Sequence, residues 1–349
     1  MENNLPTNTS INLFESYRKI SQNKYFDLPE RNIALKKHYT NGNYDKVSKL
    51  RVEVGDDLKE CKKLWDIFKK EESVFDLWKF RYPFHKYYLC KPYFLTIYID
   101  SDPVGLLPLS YDPTVNGYRW FGTSWPEDNK FFVKDPIFVP LLMYLAPYPV
   151  ALYAIEADEK NKLPDFTPLE IDDSKYILDL TRHLSFADYL NTLKKKKRYN
   201  FKRDIKKFKS LQTITEINNS SRFDEMIVIG KERFKIKGDI SEWEENPQSI
   251  EMSRELMLDN PDYITRTVSA IIGNELAGSD MISIYKGKYY CLGGAYNTKS
   301  FSGIGNYMNY LEIEDALNMG CKVIDFLQID YGWKHKWFTE VPLYKYERL

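Results

Sequence analysis

Tyr289–Trp337 reads YYCLGGAYNTKSFSGIGNYMNYLEIEDALNMGCKVIDFLQIDYGWKHKW, and it decides the fold. An apolar strand runs into a glycine turn, then a helix, a glycine stop, a second strand and an aromatic–basic cluster. This order puts the amides of Gly303, Ile304, Gly305 and Asn306 at the mouth of a helix, with Ser302 just before it. First-turn N–H groups lack intrahelical partners and the helix dipole adds positive potential, so the mouth suits a phosphate or diphosphate. Tyr307, Tyr310, Ile313 and Leu317 form the apolar face, and Gly320 stops the helix. The same glycines equally serve a plain strand-to-helix turn. No Gly-Lys-Ser/Thr follows, and short turns make the preceding strands antiparallel, so neither a Walker loop nor a dinucleotide fingerprint is present.

Outward from this stretch, Ile264–Ile272, Glu275–Tyr285 and Lys288–Tyr296 predict an antiparallel meander with turns at Gly273-Asn274 and Lys286-Gly287. Phe223–Phe234 and Ser185–Lys209 predict helices, and Tyr176–Leu180, Lys322–Ile329 and Leu343–Arg348 predict strands. In the first half, Leu50–Val54, Phe94–Ile99, Pro103–Tyr111 and Tyr118–Phe121 read as strands and Asp57–Glu71 as a helix. Ile137–Ala154, broken by Pro140, Pro147 and Pro149, reads as a buried strand–turn–strand and not as a membrane span. The charged, proline-bearing stretch 156–173 is the expected linker. The organisation predicted is a polar extension over 1–40, with one or two short helices, a first domain over 41–174 and a second over 175–349. Each domain has helical segments followed by three antiparallel strands, a duplication of architecture without repetition of residues.

A chain of 349 residues accommodates two domains of ordinary size. Lys+Arg and Asp+Glu both number 50, so the zero net charge gives no global pull toward nucleic acid. Cys61, Cys90, Cys291 and Cys321 lack metal-site spacing and suit a reducing, cytoplasmic setting; no metal is expected. The opening MENNLPTNTS has no basic and apolar regions of a signal peptide.

Three further patterns bear on chemistry. Lys194–Lys209 holds ten basic residues and one acid, Asp204, around an apolar stripe of Leu190, Leu193, Phe201, Ile205 and Phe208. A solvated amphipathic helix accounts for most of these lysines, whereas Arg198 and Arg203 offer forks that grip phosphate or carboxylate. In the tail, Lys334 lies between Trp333 and Trp337, an arrangement that also serves cation–π packing. Asp330, Asp280 and Tyr296 are candidate proton acceptors, and the sequence does not rank them. His335 lies close by among lysines.

Leu193, Lys196, Arg198, Asn200 and Arg203, then Ala295-Tyr296-Asn297 with Ser302-Gly303, then Asp325-Phe326-Leu327 with Trp333-Lys334 and Trp337 carry a resemblance. Together they resemble GNAT-superfamily acyltransferases, more narrowly the tandem-GNAT, FemAB-like branch related to CelD-type acetyltransferases. Gly105–Leu109, Gly117, Phe121-Gly122 and Asp128 resemble the degenerate first unit of such proteins, so the likeness spans roughly 45–349. Ser302, Asn297, Ile329 and Trp333 replace the family's proline, aspartate, glycine and tyrosine.

The resemblance implies an α/β (α+β) fold of two tandem GNAT-like domains, each a mostly antiparallel twisted sheet flanked by helices. It implies an N-acyltransferase moving an acyl group from acyl-CoA, acetyl-CoA first among them, to a small-molecule amine, amino-sugar or peptide bound between the domains. Ser302 to Asn306 would hold the donor diphosphate, and Arg198, Arg203, Trp333 and Trp337 the substrate. Lys334 would steady the negative charge developing on the reacting carbonyl, with Asp330, Asp280 or Tyr296 taking the proton or a water relay replacing them. Two alternatives remain open: a Fem-type transferase using aminoacyl-tRNA, and a non-catalytic binder of sugar or peptide.

Overall fold

The computed structural model describes residues 9–11, 50–163, 167–218 and 220–349. The polar extension expected over 1–40 lies outside them except for strand β1, Thr9–Ile11. The chain divides into two compact units. One comprises Met1–Glu71, Phe75–Asp173 and Pro342–Leu349, and the other Glu72–Val74 and Ser174–Val341.

In unit 1, β2 (Leu50–Gly55), β3 (Lys91–Ile99), β4 (Asp102–Asp112) and β5 (Gly117–Trp120) form an antiparallel run. Helix α1 (Leu58–Phe68) starts where the Asp57 carboxylate accepts from the Lys59 and Glu60 amides, each at 3.0 Å. Its Cys61, Trp65 and Phe68 bury one face. Helix α2 (Trp78–Tyr87) follows. The short strand β6 (Phe132–Val133) pairs with β4. Ile137–Ala154 departs from its expected strand–turn–strand: helix α3 (Phe138–Leu145) precedes β7 (Val150–Glu156). Pro140 falls in the first helical turn, where a missing N–H costs nothing. β7 runs parallel to β5. Within the expected linker lie α4 (Ala157–Lys162) and β8 (Glu170–Ile171).

In unit 2, β9 (Lys175–Asp179) precedes two helices, α5 (Phe186–Thr192) and α6 (Lys195–Ser210), where one was expected. Leu193 and Lys194 are extended, with ψ 143° at both. That turn lets Leu190, Leu193 and Phe201 all reach one core. After edge strand β10 (Ile214–Ile217) come α7 (Phe223–Lys237), α8 (Glu242–Glu245) and α9 (Gln248–Leu256). The meander is β11 (Ile264–Ile272), β12 (Glu275–Tyr285) and β13 (Lys288–Tyr296). Its hairpins turn through Gly273-Asn274 and Lys286-Gly287, all at positive φ, the backbone that two-residue hairpin loops require. Helix α10 (Ile304–Asn318) then crosses to β14 (Val323–Gln328), parallel to β13. The short β15 (Thr339–Val341) pairs with β9.

With β16 spanning Leu343–Arg348, strand order is β2-β3-β4-β5-β7-β16-β8 in one sheet, with β1 beside β2, and β10-β11-β12-β13-β14-β9-β15 in the other. The architecture is thus α/β, two largely antiparallel sheets flanked by helices. Each repeats one plan: four antiparallel strands, a parallel crossover, then an antiparallel neighbour. The last strand, β16 (Leu343–Arg348), pairs with β7 and β8, so it belongs to the first unit and not to the second as the sequence suggested. Arg348 holds it by donating to the carbonyls of Tyr144, Ala146 and Pro147.

Candidate functional site

Unit 2 contains a wedge. β13 and β14 pair at only three positions, the last being Tyr290 with Asp325. Beyond it β13 runs on to Tyr296 and β14 to Gln328 without further pairing to each other. The register on the other edge of β13 shifts between Met281 and Ile282, an extra residue that bends the strand where the ladder ends. Gly293 and Gly294 lie in the unpaired length. A Cβ at Gly294 would come within 1.8 Å of the Asp280 Oδ1 atom, so only glycine lets that carboxyl lie across β13.

Asp280 on β12 is 3 % exposed and Glu312 on α10 is 1 % exposed. The Tyr296 hydroxyl donates to Asp280 Oδ1 at 2.8 Å. Asp280 Oδ2 and Glu312 Oε2 are buried without an N–H or hydroxyl partner, which leaves a proton on one carboxyl to serve the other. Burial pushes Asp280 up to about 7, against the pull of hydrogen bonds from Tyr296 and Glu312 and of the Arg233 charge. Burial, and then repulsion from Asp280, hold Glu312 well above the usual carboxylate range. The Tyr296 hydroxyl, donating to Asp280, favours negative charge there, and one proton shared between the two carboxyls serves the pair. Arg233 on α7 lies 5.3 Å over the Tyr296 ring. Two buried carboxyls that share a proton are an arrangement that acid–base chemistry uses.

The sequence did not reveal Glu312, because the apolar face read on α10 was Tyr307, Tyr310, Ile313 and Leu317. Those four pack into the core, but so do Met308, Asn309, Leu311, Glu312 and Asp315. The helix is buried on two sides, and its apolar residues at 308 and 311 were the available signal.

The helix mouth differs from expectation. Gly303 caps α10 at φ 92°, as the turn requires. However, the Ile304 amide donates to Phe301 O and the Asn306 amide to Gly303 O, leaving Gly303 and Gly305 without a backbone acceptor among the described residues. Asp204, 3 % exposed on α6, also stands in the mouth. Its Oδ2 accepts from Asn306 Nδ2 at 2.6 Å, and its Oδ1 from Arg203 Nε at 2.9 Å. A Cβ on Gly303 would meet this carboxylate at 3.2 Å. Lys207 donates to Ser302 O at 2.7 Å. The expected four-amide anion cradle is thus half built and faces a carboxylate, whose negative charge lies where the helix dipole favours an anion.

Lys334 is 7 % exposed, and its ammonium donates to Phe326 O at 2.5 Å, Leu327 O at 3.2 Å and Gln328 O at 2.6 Å. It clamps the end of β14, where Leu327 and Ile329 both take positive φ, 60° and 64°. Asp330 Oδ1 accepts from the Trp333 and Lys334 amides at 2.7 Å, and Oδ2 pairs with His335. Burial raises its proton affinity, but His335 and these amides outweigh it and hold Asp330 down to about 2. That carboxylate caps a turn. Trp333 packs against Phe326 and Phe338, and Trp337 against Phe201, with Lys197 over its ring. Arg198 donates to Asn191 O at 3.3 Å, away from the acids. The structure thus brings Asp280 and Tyr296 together, gathers Arg203 and Ser302–Asn306 at the mouth, and gives Lys334, Asp330, Trp333 and Trp337 to the β14 turn. Among the described residues, no group of three or more His, Cys, Asp or Glu could hold a metal, and no helix is long and apolar enough to cross a membrane.

Residues 195–335 match the family model of an acetyltransferase (GNAT) domain. Among solved structures, FemX aligns over 82 % of this chain and 96 % of its own, with a TM-score of 0.56 at 11 % identity. L-PGS from Bacillus licheniformis aligns over 83 % and 91 %, with a TM-score of 0.51 at 11 % identity. A tandem GNAT protein from the clavulanic acid biosynthesis pathway aligns over 85 % and 98 %, with a TM-score of 0.50 at 10 % identity. No curated protein matches the chain significantly. Residues 195–335 thus match a GNAT domain, and the chain shares its two-sheet fold across most of its length with FemX, L-PGS and the tandem GNAT protein.

Proposed function

We propose that the protein is an N-acyltransferase that moves an acyl group from acyl-CoA to an amine, with the reacting centre in the wedge between β13 and β14. The observation that carries this is the buried pair Asp280 and Glu312 beside Gly293 and Gly294. An amine attacking a thioester carbonyl forms a C–N bond, loses a proton and expels the thiolate. Asp280, poised near neutral pH, accepts that proton, and Tyr296 and Glu312 hold its carboxylate in place. The unpaired backbone edge of β13 beyond Tyr290 offers N–H groups to the donor. Lys334 fixes the β14 side of the wedge through its three carbonyls.

A panel of acyl-CoA donors and amines, assayed for released thiol with wild type and Asp280→Asn, tests this. Transfer by wild type that drops at least about a hundredfold in the variant is expected. No transfer from any donor, or an unchanged variant, removes the proposal.

One observation favours a second donor. Asp204 opposes a diphosphate at the α10 mouth, while α6 carries nine basic residues. An aminoacyl-tRNA would bring its ester to the wedge with its polyanion along α6. Filter binding of charged tRNA with steep salt dependence, alongside no calorimetric binding of CoA, would select this donor; the reverse pattern retires it.

A further inference from the structure

We infer that the groove between α5, α6 and α10 is a binding site for an anionic amphiphile, an acyl chain ending in a carboxylate or phosphate head. The groove encloses about 690 Å3, within the roughly 300–1,000 Å3 of small-molecule sites. Its floor is apolar: Phe186, Leu190, Ile205 and Tyr310. Its rim carries Lys202, Lys206 and Lys209, which share one face of α6 by their spacing of four and three residues.

Among the described residues none of these three ammonium groups pairs with a carboxylate, and that of Lys209 lies 4.8 Å over the Tyr310 ring of the floor. The acid in the lining, Glu314, lies beside Tyr310; burial, and then this carboxylate, push the Tyr310 hydroxyl's proton affinity up. Lysine stems extend apolar surface while their heads stay wet, so an apolar tail on the floor places its anionic head among them. Leu184, next to the lining residue Ser185, is 95 % exposed and adds apolar surface at that end. A nucleic acid would use the lysines but has no use for the floor. Tyr310 and Glu314 lie on the side of α10 away from Glu312, by the 100° step of the helix, so this site is separate from the acid pair and does not rest on the transfer reaction.

The test uses the full chain and two probes: palmitate followed by calorimetry, and co-sedimentation with phosphatidylglycerol vesicles against phosphatidylcholine vesicles. Saturable one-to-one binding of palmitate is expected, at least about tenfold weaker in the Lys206→Glu/Lys209→Glu double variant. Both lysines are exposed, so an unchanged circular dichroism melt shows the variant intact, and Ile205→Ser should weaken binding with a similar melt. Binding to phosphatidylglycerol vesicles alone, lost in the same double variant, assigns the amphiphile to a bilayer instead of a free acid. No saturable binding of either probe, binding that the double variant leaves intact, or equal affinity for a cationic amphiphile overturns the inference. Binding of the variant-sensitive kind only to RNA does so as well.

Discussion

The two units follow one strand plan and treat the gap beside their parallel crossover in opposite ways. In unit 1 the gap between β5 and β7 is filled. The Trp120 indole and the Asn129 side-chain amide both donate to Tyr153 O at 2.9 Å, and the Asn129 backbone pairs with Ala154 and Glu156. Its crossover helix α3 buries Phe138, Val139, Leu141, Leu142 and Met143. In unit 2 the corresponding gap is lined by Gly293 and Gly294, and the crossover helix α10 buries Asn309, Glu312 and Asp315. Apolar packing stabilises, whereas a desolvated acid costs stability unless its proton is retained. Asp315 accepts from Arg266 and Tyr289, whereas Asp280 and Glu312 each keep a buried oxygen without such a partner, so packing does not account for that pair.

The largest effect should come from breaking the plan itself. Deleting Pro342–Leu349 removes β16 from between β7 and β8, and hydrogen exchange should show β7 and β8 losing protection while β11–β13 keep theirs. Uniform protection in the truncated chain would refute the exchange of that strand. Next comes Asp280→Asn, expected to reduce transfer by about 10²–10⁴-fold. In wild type kcat/KM should climb as pH rises through about 7, because the base must be ionised. Tyr296→Phe removes a donor to that carboxylate and should move the midpoint upward. A midpoint that stays fixed argues against Asp280 as the titrating group.

The contrasting change in unit 1, Leu142→Ala at a fully buried site, should lower stability by about 2–5 kcal/mol and leave kcat alone. Comparable in size is the pH response of the acid pair. Asp280 and Glu312 bind protons more tightly folded than unfolded, so their stabilisation is complete below the unfolded carboxylate values near pH 4. It is lost as pH rises through about 7, an effect of about 1.4 kcal/mol for each tenfold gain in proton affinity on folding. Thermal melts should fall over that window in wild type and flatten in Asp280→Asn; parallel curves would count against the buried pair. The smallest change is Ile329→Gly. A β-branched residue at φ 64° is strained, and glycine there should raise the unfolding free energy by about 1 kcal/mol. Denaturant midpoints would detect it, and a decrease would mean that packing outweighs backbone strain.

Much of this architecture was legible because its signals are local. Gly273-Asn274 and Lys286-Gly287 fix hairpins, Gly303 and Gly320 bracket α10, and alternation marks the strands between them. The sequence pattern found Asp280 and Tyr296 without linking them, since their contact depends on the pairing of β12 with β13. Glu312 escaped because a helix packed on two sides has no solvent face for periodicity to reveal. Lys334 read as a cation–π lysine or as one that steadies a reacting carbonyl, yet its partners are main-chain carbonyls that no residue type announces. Leu343–Arg348 reads correctly as a strand, but its neighbours lie some 190 residues upstream by register, and alternation says nothing of which sheet receives it.

The placement of β16 has a consequence for the order of events at the ribosome. Vectorial synthesis delivers β2 through β8 first, then all of unit 2, and only then the strand that sits between β7 and β8. Unit 2 opens with its own β9, so its sheet is complete before that of the unit that emerged earlier. The first-made half therefore waits with an exposed strand edge on β7, which invites pairing with other nascent chains until its own last strand arrives.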